Sequence, residues 1–138
     1  MGSEGRAITS FQSNVMFVGN NRLSNTQAKN GGALLAANSV IVIYGETTIT
    51  QNNAANGNGG GISLQQSGIK IEAGICNIYN NHAVWGGGIH ATSSSISIHL
   101  SGNVQFINNS AVQNGGGVYL AANPKVYILK ERPIISPK

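Results

Sequence analysis

The sequence predicts an all-β chain. It reads as a right-handed, single-stranded parallel β-helix, a solenoid of about four coils of 27–29 residues with three short strands each. Three observations predict it. A Gly-Gly-small-aliphatic motif recurs four times, at Gly31-Gly32-Ala33-Leu34, Gly59-Gly60-Gly61-Ile62, Gly86-Gly87-Gly88-Ile89 and Gly115-Gly116-Gly117-Val118, at intervals of 28, 27 and 29 residues. A second motif keeps step with it: a large apolar residue followed three positions on by Asn, at Phe17–Asn20, Ile49–Asn52, Ile78–Asn81 and Phe106–Asn109. Inside each repeat the hydrophobic period is two, not 3.6. Self-similarity at a fixed period of this size is the signature of stacked repeats.

Each coil then divides into three runs. The first is Ile62-Ser-Leu64, matched by Ile89-His-Ala91 and Val118-Tyr-Leu120. The second is Val40–Tyr44, matched by Ile69–Ile71, Ile96–Leu100 and Val126–Ile128. The third is Val104-Gln-Phe106, matched by Cys76–Ile78, Thr47–Ile49 and Val15–Phe17. Gly45, Gly74 and Gly102 mark corners between runs. Stacked coils should place like residues in columns: Leu34/Ile62/Ile89/Val118, Val42/Ile71/Ile98/Ile128 and Phe17/Ile49/Ile78/Phe106. The Gly pairs suit corners needing φ > 0 or close approach between coils. The corner Asn residues tolerate the left-handed region, and their amides can donate and accept along an Asn20/Asn52/Asn81/Asn109 ladder. Two β-sheets packed as a sandwich would not require corner residues to recur every 28 positions.

Composition excludes much chemistry. The chain has 138 residues, with Gly 19, Asn 18, one Cys and four acids, all Glu. Without Asp there is no aspartate-based metal loop, phosphoryl-transfer site or aspartate triad. Cys76 alone cannot form an intrachain disulfide or a Cys-rich zinc site, and its alignment with Val104 makes it a core residue. The formal charge of +4 is scattered or gathered in the last fourteen residues, unlike a nucleic-acid footprint. No apolar run reaches the length of a membrane-spanning helix. Residues 1–13 read as an irregular segment without a signal-peptide core, 14–129 as the repeats, and 130–138 as a polar, Pro-containing tail; the whole reads as a piece of a longer protein.

Phe-x-x-Asn followed by Gly-Gly-Ala-[Ile/Leu/Val] resembles the repeat of the chlamydial polymorphic outer-membrane proteins. Phe17–Asn20 with Gly31–Leu34 fits that pattern in full. Phe106–Asn109 fits the first part, with Gly117 in place of Ala. The central copies carry Ile49 and Ile78 for Phe, and Gly61 and Gly88 for Ala. The resemblance spans roughly residues 14–120. It implies the β-helical, surface-displayed part of an autotransported adhesin, located outside the cell and associated with the outer membrane.

Catalysis is not expected. Glu46 and Glu72 lie 26 residues apart, about one coil, and paired carboxylates suit glycoside hydrolysis. The alignment nevertheless sets Glu72 opposite Ile43 and His99, and Glu46 with Ile75 and Asn103, out of register. His82, His90 and His99 share one repeat but occupy different segments, so they do not converge on a metal. No catalytic residue, metal or cofactor is expected. Recognition is favoured instead: Leu35, Ser63, His90 and Tyr119 should stack outward on one face, and Ile41, Lys70, Ser97 and Tyr127 on another. Tyr79, Trp85, His90 and Tyr119 are the candidate contact residues, since partner-binding surfaces favour such aromatics. The expected role is a non-enzymatic adhesion or surface-display module for a host-cell protein or glycan, with open coil ends suited to end-to-end self-association. The alternatives are a polysaccharide lyase or glycoside hydrolase, or an inert spacer.

Overall fold

The computed structural model describes residues 8–72, 75–92, 97–100, 103–121, 125–128 and 134–135. These residues form eighteen strands and no helix, and every ladder is parallel. None of them forms a helix long and apolar enough to cross a membrane. The strands stack into four sheets. The first holds β1 (Ile8–Phe11), β4 (Leu34–Ala37), β8 (Ile62–Gln65), β12 (Ile89–Thr92) and β16 (Val118–Ala121). The second holds β2 (Asn14–Phe17), β5 (Val40–Ile43), β9 (Gly68–Ile71), β13 (Ser97–Leu100) and β17 (Lys125–Ile128). The third holds β3 (Asn21–Ser24), β6 (Thr47–Thr50), β10 (Ile75–Tyr79), β14 (Asn103–Ile107) and β18 (Ile134–Ile135). The fourth holds β7 (Asn53–Asn58), β11 (His82–Trp85) and β15 (Ser110–Asn114). Each strand pairs with its equivalent one coil away, so the chain is a parallel solenoid of about four turns.

The coil therefore has four strands, not three. The additional strand, β7/β11/β15, is built from Ala, Asn and Gly and shows no alternation of apolar with polar residues. What makes it a strand is the ladder to neighbouring coils: His82 pairs Asn53 and Ser110, and Ala83 pairs Ala54 and Ala111. Its length varies, and the register shifts between Ala83 and Trp85 on both sides. That shift absorbs the unequal repeat intervals as a bulge. In the first coil an isolated bridge, Gln27 to Asn53, stands in its place.

Columns of apolar side chains fill the interior. Leu34, Ile62, Ile89 and Val118 stack as expected, with Ile8 below them. Cys76 aligns with Val104 in the core, and burial pushes its thiol pKa up to about 12. Each fully buried aliphatic side chain contributes about 1.5–3 kcal/mol, and a single coil cannot secure that burial alone.

Two expected columns are corrected. Val42 stands opposite Lys70, whereas Ile71 pairs Ile43 and Leu100. Ile41 and Ile43 are buried, so Ile41 points inward, not outward. The run Val40–Tyr44 is apolar at every position, so alternation alone could not choose its inner face. The register also sets Ile98 against Ile69 and Val126, and His99 against Lys70 and Tyr127; the side chains of Ser97, Ile98, His99, Tyr127 and Ile128 lie outside the described residues, as do Gly74 and Gly102.

The second correction concerns the first coil. Phe17 pairs Ile43 in the second sheet, and the column above Ile49, Ile78 and Phe106 is completed by Leu23. Asn20 is consequently absent from the corner ladder, and Thr26 occupies that corner. The spacing carried the signal. Asn52, Asn81 and Asn109 precede the Gly motif by 7, 5 and 6 residues, Asn20 by 11 and Thr26 by 5. Strand β1 begins at Ile8, inside the segment expected to be irregular, and Ile134–Ile135 of the tail pairs with β14.

Corners repeat as strictly as strands. A left-handed residue bends the chain at each: Gly19 and Gly45; Asn25, Gln51, Asn80 and Asn108; Gly31, Gly59, Gly86 and Gly115; Gln12, Asn38 and Gln66. At the Asn corner the left-handed residue is the one before the ladder Asn, not the ladder Asn itself. The Asn81 amide is fully engaged. Its Oδ1 accepts from the backbone N–H and Nδ2 of Asn52, both at 3.0 Å. Its Nδ2 donates to Asn109 Oδ1 at 3.0 Å and to the Ile49 carbonyl at 2.9 Å. Asn52, Asn81 and Asn109 are all buried, where an amide without these partners would be costly. A smaller ladder follows the Gln12/Asn38/Gln66 corner: Ser39 N–H donates to Ser67 Oγ at 2.9 Å and Ser13 N–H to Ser39 Oγ at 3.2 Å.

Candidate functional site

A recessed outer surface lies where the first and fourth sheets meet at the Gly corner. Gly59 holds φ at +71°, a conformation that L side chains rarely adopt. A Cβ on Gly60 would stand 2.4 Å from the Gly87 carbonyl oxygen and 2.5 Å from that of His82, so this turn must stay bare. The bend it makes is re-entrant. Outward side chains of β8, β12 and β16 come to face those at the ends of β7 and β11.

Register places Leu35, Ser63, His90 and Tyr119 in one column, with Thr9 below. The column is the expected one, but its middle is not exposed: Ser63 is 1% and His90 4% accessible. The concave corner encloses them. Burial lowers the His90 imidazole pKa, because the charged form loses its solvation. Among the described residues neither Ser63 Oγ nor His90 Nδ1 has a hydrogen-bond partner.

Three of the four candidate contact residues converge here. The His90 and Tyr119 rings stack with centroids 5.2 Å apart at 15°. Trp85, at the end of β11, tilts against Tyr119 at 5.1 Å and 52°. Such aromatic pairs add about 0.5–1.5 kcal/mol beyond their area burial. Tyr79 is elsewhere. It projects from β10 in the third sheet, over a shallow depression of about 270 Å³ shared with Asn77, Gln105 and Ile107. Below the aromatic cluster the corner opens into a cleft of about 520 Å³, with Asn58 from β7, Gln65 from β8 and Thr92 and His90 from β12 on its walls. The sequence reading did not single out Asn58, Gln65 or Thr92. Gln65 and Thr92 share a register position with Ala37, and they could have been found once the Gly corner was read as concave.

The remaining titratable groups are dispersed. Lys70 and Glu72 form an ion pair at 3.2 Å on the second-sheet side of the coil. Hydrogen bonding to Glu72 raises the Tyr44 phenol pKa. Glu72 is opposite Tyr44, not Ile43: Ile43 pairs Ile71, and Glu72 N–H donates to the Ile43 carbonyl. His82 Nδ1 lies 2.7 Å from Ser110 Oγ across one coil step, on a different sheet from His90. Among the described residues no group of three or more His, Cys, Asp or Glu could hold a metal ion.

Residues 103–121 match the family model of the Chlamydia polymorphic membrane protein (Chlamydia_PMP) repeat. That segment contains Phe106, Asn109 and Gly115–Val118, so the matched repeat is β14, the Asn corner, β15, the Gly corner and β16. The repeat suggests a surface-exposed, outer-membrane-associated protein. No curated protein and no solved structure matches the chain.

Proposed function

We propose that the chain is a non-enzymatic, surface-displayed recognition module that mediates adhesion through the concave corner between its first and fourth sheets. The observation that carries this reading is the clustering of Trp85, His90 and Tyr119 at one re-entrant corner on a hydrogen-bonded scaffold. Rigid aromatic side chains offer large contact area at low entropic cost, and they favour partner surfaces. The matched repeat supports display at the cell surface. The described acids do not favour catalysis: Glu72 is tied to Lys70 on another face, and no carboxylate is among the described residues lining the concave corner.

Flow cytometry with fluorescently labelled chain on cultured epithelial cells tests the reading. Saturable binding, reduced at least tenfold by Trp85→Ala or Tyr119→Ala, is expected. Binding that both substitutions leave intact would remove the corner from the interaction. A total lack of binding would leave a spacer. Release of reducing ends from a polysaccharide panel, abolished by Glu46→Gln or Glu72→Gln, would replace adhesion with hydrolysis.

A further inference from the structure

We propose that the 520 Å³ cleft below the aromatic cluster is a binding site for a neutral oligosaccharide; this rests on the recognition reading above and names the chemical class of its ligand. The volume falls within the ordinary range for ligand sites, about 300–1,000 Å³. The lining chemistry selects the class. Asn38, Asn58, Gln65 and Gln66 supply four amides, and Thr92 and His90 add a hydroxyl and an imidazole. Every amide offers both donors and an acceptor, which is what adjacent sugar hydroxyls require. No described lining residue is charged, so the described wall offers none of the Arg or Lys that carboxylate, sulfate or phosphate groups call for.

A peptide strand is disfavoured for a different reason. Added strands dock on unpaired sheet edges, whereas β4, β8 and β12, which carry most of the cleft wall, are paired on both sides and only β1, at its foot, ends the sheet among the described residues. Phe11, on β1 at the foot of the cleft, is 64% exposed. An exposed phenyl ring offers a flat apolar platform on which the C–H face of a pyranose could stack. His90 contributes a second, independent pointer. Its side chain is almost wholly enclosed, it lines the cleft, and Nδ1 has no hydrogen-bond partner among the described residues. Buried polar atoms in native structures are satisfied as a rule; Nδ1 is itself shielded from solvent, so a rotation of the ring toward the cleft would let a ligand hydroxyl complete it.

The site is also pre-ordered. Asn38 and Gln66 occupy left-handed corners at φ 52° and 50°, each followed by a serine of the Ser39–Ser67 ladder. Asn58 N–H is held by the Asn30 side-chain oxygen at 2.9 Å. With the backbone fixed on a rigid coil, only side-chain rotamers are left to order on binding, which costs less than ordering a loop as well.

The test is a ¹⁵N-edited NMR titration of the full chain. Neutral probes are maltotriose, triacetylchitotriose and lacto-N-tetraose; anionic probes are 3′-sialyllactose and a heparin hexasaccharide. At least one neutral probe should shift the side-chain amides of Asn38, Asn58, Gln65 and Gln66 saturably. Phe11→Ala and Gln65→Ala, both at exposed positions, should weaken that binding at least tenfold, with Lys70→Ala as an unaffected control on another sheet. The proposal fails if no neutral probe gives saturable shifts, if binding survives both cleft substitutions, or if an anionic probe binds more tightly than every neutral one. Cell binding separates the two claims. If the chain binds cells, and neither enzymatic deglycosylation nor Phe11→Ala reduces that binding, the glycan is overturned and recognition stands. If neutral sugars titrate the cleft but the chain ignores cells, adhesion is overturned and the glycan site stands.

Discussion

The Asn corner and the Gly corner turn the same chain within a few residues of each other, by opposite means. At the Asn corner a side chain is added: one buried amide serves four partners in two neighbouring coils. At the Gly corner a side chain is withheld, because backbone from the next coil occupies the space where a Cβ would go. The first corner is held by hydrogen bonds and the second by close approach. The difference teaches where each motif is sensitive. An Asn corner tolerates changes in size but not loss of its donors and acceptor. A Gly corner tolerates no added atom at its first two positions, and the concave outer surface lies beside it.

The sharpest way to break this comparison is Asn81→Leu. The volume is nearly kept, but Asn52 N–H and Nδ2, the Ile49 carbonyl and Asn109 Oδ1 all lose a buried partner. At about 1–3 kcal/mol for each stranded group, and without full additivity, a loss of ~4 kcal/mol is expected. Thermal unfolding followed by circular dichroism should show the midpoint fall by on the order of 10 °C; an unchanged midpoint would mean that the ladder is not buried. Next comes Gly60→Ala. Shifting the backbone near Gly87 and His82 should destabilise by ~2–4 kcal/mol, read as a lower urea midpoint. If Gly60→Ala proved neutral, the corner would be looser than the contact distances imply.

Ser39→Ala probes the lesser ladder. Ser39 accepts from Ser13 N–H and Ser10 Oγ and donates to the Ala37 carbonyl. Its removal should destabilise by ~1 kcal/mol, well below the Asn81 effect in the same urea assay. The smallest effect concerns pH. Burial depresses the His90 pKa below 6.5, so the unfolded chain takes up a proton that the folded chain resists. Stability should therefore be complete above about pH 6.5 and decline as the medium is acidified through that value. His90→Gln should flatten the decline, as urea midpoints at pH 7.5 and 5.5 would show.

Much of this architecture was legible because a solenoid writes each structural requirement several times. The Gly motif, the Leu34/Ile62/Ile89/Val118 column and the Asn52/Asn81/Asn109 corner were all readable from recurrence. What failed lay where recurrence was weak or ambiguous. Val40–Tyr44 is apolar throughout and gave no inner face. Phe17–Asn20 copied the motif in letters but not in its distance to the Gly pair, while Leu23 and Thr26 filled the positions without resembling it. The fourth strand escaped notice because Ala, Asn and Gly carry little strand preference, and only its ladder to neighbouring coils defines it. For the candidate site, Trp85, His90 and Tyr119 were recognisable as outward aromatics. The concavity that joins them to Asn58, Gln65 and Phe11 was not, because period-two alternation tells inside from outside but not a convex face from a hollow.

The row of asparagine amides has a direction. Asn52 gives its protons to Asn81, and Asn81 gives its own to Asn109, so the dipoles align head to tail and polarise one another along the axis. Such a row makes growth vectorial. Each finished turn presents hydrogens on its leading side, and an incoming turn settles when it brings an oxygen to the same spot. A slip of one residue would bring the left-handed Asn80 or Asn108, or else His82 or Ser110, to that spot, and the head-to-tail amide column would be broken.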